Sequence, residues 1–165
     1  MSTPIQIKLA IDSDLVAIND IYNHYVLHST CTYQEELESI GSRRKWFADH
    51  DPAHPVTVAV VEDRVVGWGS LSRYHPRSAY RNTVEDSIYI DQQMHRRGIG
   101  SAILADLIAR ASASGHHTMI GGADAEQLAS LALHARFGFE KIAHLREVGF
   151  KFGRWLDVIY MQLML

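Results

Sequence analysis

Two glycines and two arginines stand together in Met94-His95-Arg96-Arg97-Gly98-Ile99-Gly100-Ser101. An alternating apolar segment precedes them and an amphipathic helical pattern follows, so both glycines fall where a helix begins. The first amides of such a helix have no internal acceptor and point forward. Glycine lets a ligand approach the backbone closely, and the helix dipole favours an anion there. With Arg96 and Arg97 adding positive charge, the guest that suits this turn is a phosphate or pyrophosphate. In isolation the same residues read more simply as a turn beside a solvated basic patch. Neither common glycine motif is complete: Gly-Lys-Ser/Thr is absent, and Ile103 stands where a third glycine would fall.

Other reactive residue types point away from metal and redox chemistry. Among 10 histidines His24 and His28 share an i,i+4 spacing, and one such pair supplies too few ligands, so no metal is expected. The single cysteine, Cys31, excludes an internal disulfide, suits a reducing cytosol and lacks an evident activating partner.

Strands and helices alternate around the glycine turn. Ile5–Leu9 alternates as a short strand. Leu15, Ile18, Tyr22, Tyr25 and Val26 have helical spacing behind an Asp12-Ser13-Asp14 cap, and Leu37, Ile40, Trp46 and Phe47 predict a second helix. Val56–Val61 and Val65–Leu71 flank Glu62-Asp63-Arg64 as a hairpin, with Trp46 and Trp68 as core residues. In Thr83–Ile90, residues Val84, Ile88 and Ile90 share one face, and Thr83, Glu85, Ser87 and Tyr89 the other. Ile99, Ile103, Leu104, Leu107, Ile108 and Ala111 mark the helix behind the glycine turn, ending at Gly115. A strand opens at Thr118-Met119-Ile120, Leu128–Ala135 forms a last helix, and Val158–Leu165 a last strand.

The chain of 165 residues, 47% hydrophobic and 21% charged, is sized for one domain over 1–165. Its 16 Lys and Arg against 19 Asp and Glu give a net charge of −3, which carries neither a disorder nor a nucleic-acid signature. No apolar run is long enough to span a membrane, and the N-terminus MSTPIQIKLA lacks a signal-peptide pattern. The expectation is a cytoplasmic α/β domain with a mixed, mostly antiparallel sheet flanked by helices.

The glycine turn resembles the acyl-CoA pyrophosphate loop of the GNAT N-acetyltransferase superfamily, Gln/Arg-x-x-Gly-x-Gly/Ala. A second matching segment is Ser130-x-x-Leu133-His134-x-x-x-Gly138-Phe139. Thr83-Val84-Glu85-x-Ser87-Ile88-Tyr89-Ile90 and Val148-Gly149-Phe150-Lys151-Phe152-Gly153-Arg154-Trp155-Leu156-Asp157 are similar to the phosphinothricin and methionine sulfoximine/sulfone acetyltransferase subgroup. So are Ser29 to Tyr33 and Tyr74 to Arg81, and the likeness covers nearly the whole chain. Two positions depart: His95 fills the Gln/Arg slot, and Gln127 stands where an Asn is usual three residues before the serine. Both can still hydrogen-bond, so contacts to the cofactor are expected to be rearranged rather than lost.

The resemblance implies a splayed sheet and transfer of an acetyl group from acetyl-CoA to the α-amino group of a small amino-acid-like acceptor. An amine attacks only when unprotonated. With a lysine-like pKa of about 10.4, deprotonation at pH 7 costs roughly 4.6 kcal/mol. Glu85 is the candidate base, directly or through a water; otherwise it is a strand glutamate exposed to solvent. The backbone of Ile88, Tyr89 and Ile90 would hold the pantetheine arm. His95, Arg96, Arg97, Gly98, Ile99, Gly100, Ser101, Gln127 and His134 complete the cofactor site. His134 stands where the superfamily often has a tyrosine. It either donates a proton to the departing thiolate or merely packs.

Arg77, Tyr80 and Arg81 would bind a carboxylate or phosphinate, with Tyr33, Tyr74 and Thr83 around the acceptor; as single residues they read equally as a solvated loop. A homodimer through the C-terminal strands is implied as well. Two further readings stay open. One is acetylation of another amine, such as a protein N-terminus or polyamine; the basic loop counts against an aminoglycoside. The other is a sensor that binds acyl-CoA without turnover.

Overall fold

A computed structural model describes residues 4–165. Met1–Thr3, part of the stretch read above for a signal peptide, lie outside the described residues. Seven strands form one sheet in the order β1-β2-β3-β4-β5-β7-β6. They are β1 Gln6–Leu9, β2 Val56–Val61, β3 Arg64–Arg73, β4 Thr83–Ile90, β5 Thr118–Asp124, β6 Glu140–Lys151 and β7 Arg154–Met164. The helices are α1 Leu15–His28, α2 Ile40–Ala48, α3 Ile99–Ala113 and α4 Leu128–Arg136. Among the described residues, no helix is long and apolar enough to cross a membrane.

Only β4 and β5 run parallel, because α3 carries the chain back between them. The other neighbours are antiparallel, as the hairpin and alternation patterns predict. The β2–β3 turn is tighter than expected. Glu62 and Asp63 both take positive φ, 49° and 60°, the form a two-residue hairpin needs, and Arg64 already belongs to β3.

Each face of the sheet has its own core. Ile103, Leu104, Leu107 and Ala111 of α3 are fully buried against Val66, Leu71, Val84 and Met119. On the opposite face, Leu15, Ile18 and Tyr25 of α1 pack on Val58 and Trp68, with Trp46 of α2 alongside. Alternation along β4 sends Val84 to the first core and Tyr89, stacked 4.9 Å from Trp68, to the second.

Two expectations are corrected. Leu37 is not helical: α2 starts at Ile40, where Ser39 Oγ caps it by accepting from Ser42 N at 3.1 Å, and Leu37 is exposed. Residues 140–151, assigned no element from the sequence, form β6. The register slips between Lys141 and Ala143 and again between Leu145 and Gly149, and Glu147 has φ 52°. These bulges destroy the period-two pattern by which a strand is read.

The feature that shapes the site is a fork. β4 and β5 pair only from Thr83↔Thr118 to Asp86↔Gly121. Beyond that point Gly122–Asp124 stay with β7, while Ser87–Ile90 stay with β3. The splay expected near Ile88–Ile90 is present.

Candidate active site

The fork opens a cavity of about 630 Å³. Its walls include Glu85 to Ile90 of β4, Gly122 to Asp124 of β5, His134 of α4 and Tyr160 of β7. The amide of Asp91 is bonded to Val66 O of β3, so by alternation the backbone groups of Ile88 and Ile90 face the open edge. An extended chain laid into the fork would meet the Ile88 backbone and the Ile90 amide, the Ile90 carbonyl already accepting from the Tyr25 hydroxyl.

At the outer end of the fork, Arg96 and Gly98 turn the chain with φ 62° and 81°. Gly98 is the N-cap of α3, and its carbonyl accepts from Ala102 N at 3.0 Å. The amides of Ile99, Gly100 and Ser101 therefore precede the first helical hydrogen bond and carry the positive end of the dipole. Gly98 is required because a side chain in this left-handed conformation is strained.

His95 is tethered. Its Nε2 lies 2.7 Å from the Tyr25 hydroxyl, which also bonds the Ile90 carbonyl. Tyr25 has one proton and a carbonyl can only accept, so the hydroxyl donates to Ile90 O and His95 Nε2–H donates to the hydroxyl. Burial, above all, raises the Tyr25 pKa, so it remains a donor. One side chain thus ties the end of β4 to the start of the glycine turn.

Glu85 sits at the crotch of the fork, half-buried, with no hydrogen-bond or ion-pair partner among the described residues. Its pKa is raised, first by burial and then by the neighbouring Asp86 charge. A carboxylate so placed is a stronger proton acceptor than one in water. Opposite it, Tyr160 has its own pKa raised, by burial first and then by Glu85 and Tyr74.

On the other face of β4, Asp86 Oδ2 meets His134 Nε2 at 3.0 Å, and His134 Nδ1 meets Ser130 O at 2.8 Å. Both residues are buried. Burial opposes the charge on His134, but the Asp86 contact outweighs it, and the His134 pKa is raised. Asp86 escaped the sequence reading, although an acidic residue at the parity of Val84 and Ile88 signalled it. Tyr160 escaped too, hidden in a strand of apolar residues.

The remaining predicted residues divide. Tyr33 and Gln127 line the cavity. The Tyr33 hydroxyl donates to Asp124 Oδ2 at 2.8 Å, with the Asp157 carbonyl 3.0 Å away. Gln127 Nε2 donates to Thr30 Oγ1 at 3.3 Å. Lys151 is buried behind them and bonds the carbonyls of Ser29 and Thr32, both at 2.8 Å, so it fixes the loop carrying Thr30 and Cys31. Burial raises the Cys31 pKa, in line with an inert thiol.

Arg97 and Ile99 line a second hollow of about 400 Å³ with Arg64 instead. Arg77, Tyr80 and Arg81 are exposed and do not line the main cavity, and Thr83 lies in the paired part of β4. Their loop reaches the site only at Tyr74, which stands close enough to Tyr160 to raise its pKa. Among the described residues no group of three or more His, Cys, Asp or Glu could hold a metal ion.

A forked mixed sheet with a helix N-terminus at its mouth can hold an extended chain that carries a phosphate at one end. The chain belongs to the acetyltransferase (GNAT) family, which it matches over residues 18–139. It is 36% identical to an L-methionine sulfoximine/L-methionine sulfone acetyltransferase of Salmonella typhimurium, over 96% of this chain and 94% of that protein. It is 37% identical to a phosphinothricin N-acetyltransferase of Alcaligenes faecalis, over 94% and 80%. A phosphinothricin acetyltransferase of Sinorhizobium meliloti, solved in complex with acetyl-CoA, superposes with a TM-score of 0.95 at 36% identity, covering 98% of this chain and 88% of that one.

Proposed function

We infer that this chain transfers the acetyl group of acetyl-CoA to the α-amino group of a small amino-acid-like acceptor of the phosphinothricin or methionine sulfoximine/sulfone type. The observation that carries this reading is Glu85, half-buried and unpartnered at the point where β4 leaves β5. The donor set fits acetyl-CoA. The open edge at Ile88 and Ile90 suits the amide groups of a pantetheine arm, and the amides of Ile99, Gly100 and Ser101 suit a pyrophosphate. Bound there, acetyl-CoA supplies the activated acyl group.

Glu85 accepts a proton from the acceptor ammonium, leaving an amine that attacks directly, with both substrates held at once. Backbone amides of the open edge of β4 stabilise the oxyanion. Of the two protons a nitrogen loses on becoming an amide, Glu85 takes the first and passes it to water. The second ends on sulfur, and the His134 ring at the cavity wall, its two N–H groups engaged by Ser130 O and Asp86, stabilises the departing thiolate by its charge. Tyr160, Tyr74 and Tyr33 wall the acceptor end. The working form is a cytoplasmic homodimer, favoured by the exposed Ile142, Val148, Phe150, Phe152 and Trp155 of β6–β7.

Release of CoA thiol, measured with phosphinothricin, methionine sulfoximine, methionine sulfone, ordinary amino acids and polyamines, tests the reading. Glu85→Gln is expected to lower kcat by about 10²-fold or more while acetyl-CoA affinity stays within about twofold. Unchanged turnover in that variant removes Glu85 from the reaction. Faster turnover of polyamines than of any acidic acceptor overturns the acceptor class.

A further inference from the structure

Asp86 lies one residue from Glu85, on the opposite face of β4, with its side chain 2% exposed. Its Oδ2 is engaged by His134, while its Oδ1 is buried without a hydrogen-bond partner. A buried carboxylate that leaves one oxygen unpaired bears a desolvation cost. A group held at such a cost is retained for what its other oxygen does.

The hydrogen bonds of His134 allow a count of its protons. Ser130 O can only accept, so Nδ1 carries a hydrogen. With Asp86 ionised, its oxygen can only accept, so Nε2 carries one as well. A neutral ring with its hydrogen on Nδ1 would turn a lone pair onto the Asp86 oxygen 3.0 Å away, which is repulsive. Asp86 is the one charged group that faces the ring. Gly121 of β5 offers only backbone: a Cβ there would lie 2.8 Å from His134 Cδ2. Phe139 presents an aromatic contact at 4.9 Å, edge to face, and Arg136 on the same helix is exposed.

The geometry points to Asp86 as a positioning residue for acetyl transfer: its carboxylate fixes the His134 imidazole at the cavity wall and keeps it doubly protonated. The ring then faces the cavity as a cation in a fixed orientation, across β4 from Glu85. The carboxylate and imidazolium cancel in net charge, so the charge of one is tolerated in a buried place. This rests on the reading of His134 as the cation that stabilises the departing thiolate, and the experiment separates the two.

Ring ¹⁵N NMR of His134 in the wild-type protein, assigned by its loss in His134→Asn, reports the protonation state without perturbing the pair. The wild-type ring is expected to remain imidazolium well above the pH at which an exposed histidine titrates. Asp86→Asn keeps the shape, and its amide can donate to a neutral Nε2. There the ring is expected to titrate about one pH unit lower or more. In that variant kcat is expected to fall about 10²-fold, with KM for both substrates within about twofold, and its alkaline limb to move down in pH. A neutral wild-type ring at pH 7, or a titration unmoved by Asp86→Asn, overturns the role given to Asp86. A lowered titration with an unchanged kcat profile overturns the role of His134 in turnover, and with it Asp86 as a positioning residue.

Discussion

Glu85 is placed against the interests of stability. Its folded pKa lies above the ordinary 4.5, raised by burial and then by Asp86. Between those two values the folded chain binds more protons than the unfolded one, so stability falls as pH rises through the interval. Glu85→Gln removes that penalty. Thermal unfolding is expected to show the variant more stable than wild type at pH 7, with the advantage vanishing below pH 4.5. An equal gain at both pH values would assign the effect to packing. With Glu85 as base, the kcat–pH profile is expected to fall as pH drops through the raised Glu85 pKa. For stability, His134 has a linkage of the same sign as Glu85, in a higher pH window. Its raised pKa gives stability that is complete below the ordinary histidine value of 6.5 and is lost as pH rises through the folded value.

At the scale of elements, the fork depends on how closely α4 approaches β5. Gly121 permits this approach, since a Cβ there would stand 2.8 Å from the His134 ring and 3.1 Å from Asp86 Oδ1. That ring is held at both nitrogens and cannot swing aside freely. Gly121→Ala is therefore expected to cost about 1–3 kcal/mol in denaturant unfolding and to lower kcat more than acetyl-CoA affinity. An equal loss in both would mean that α4 shifts as a body. The elements also show what a sequence makes visible. Strong local signals gave α1, α3 and β4, because one buried face imposes a clean period. The turn at Gly98 and the acidic residue at the crotch of the fork were legible because their residue types are chemically specific. β6 was hidden by its bulges. Asp86 was hidden because its meaning comes from His134, 48 residues away in the chain. The loop at Arg77–Arg81 has the right residue types for an acidic acceptor, but composition cannot tell a rim from a wall.

At the scale of the molecule, the C-terminal hairpin is the least covered part of the surface. Trp155, 62% exposed, packs at 5.0 Å against Phe150, and Phe152 stands nearby on the same hairpin. Such a contiguous apolar patch marks an interaction surface. Trp155→Asp is expected to convert a dimer into monomers in light scattering at micromolar concentration, without altering far-UV circular dichroism. A wild-type chain that is monomeric throughout would overturn the homodimer.

The two borders of the sheet differ from its middle in one respect. β1 is only four residues long, and β6 is kinked by two register shifts. A foreign strand adding at either border would find few backbone groups in line. Short and bulged edges discourage this growth, so the protein is guarded against runaway strand-by-strand aggregation. A partner docking on the C-terminal hairpin is therefore expected to meet its side chains rather than to add a strand at its edge.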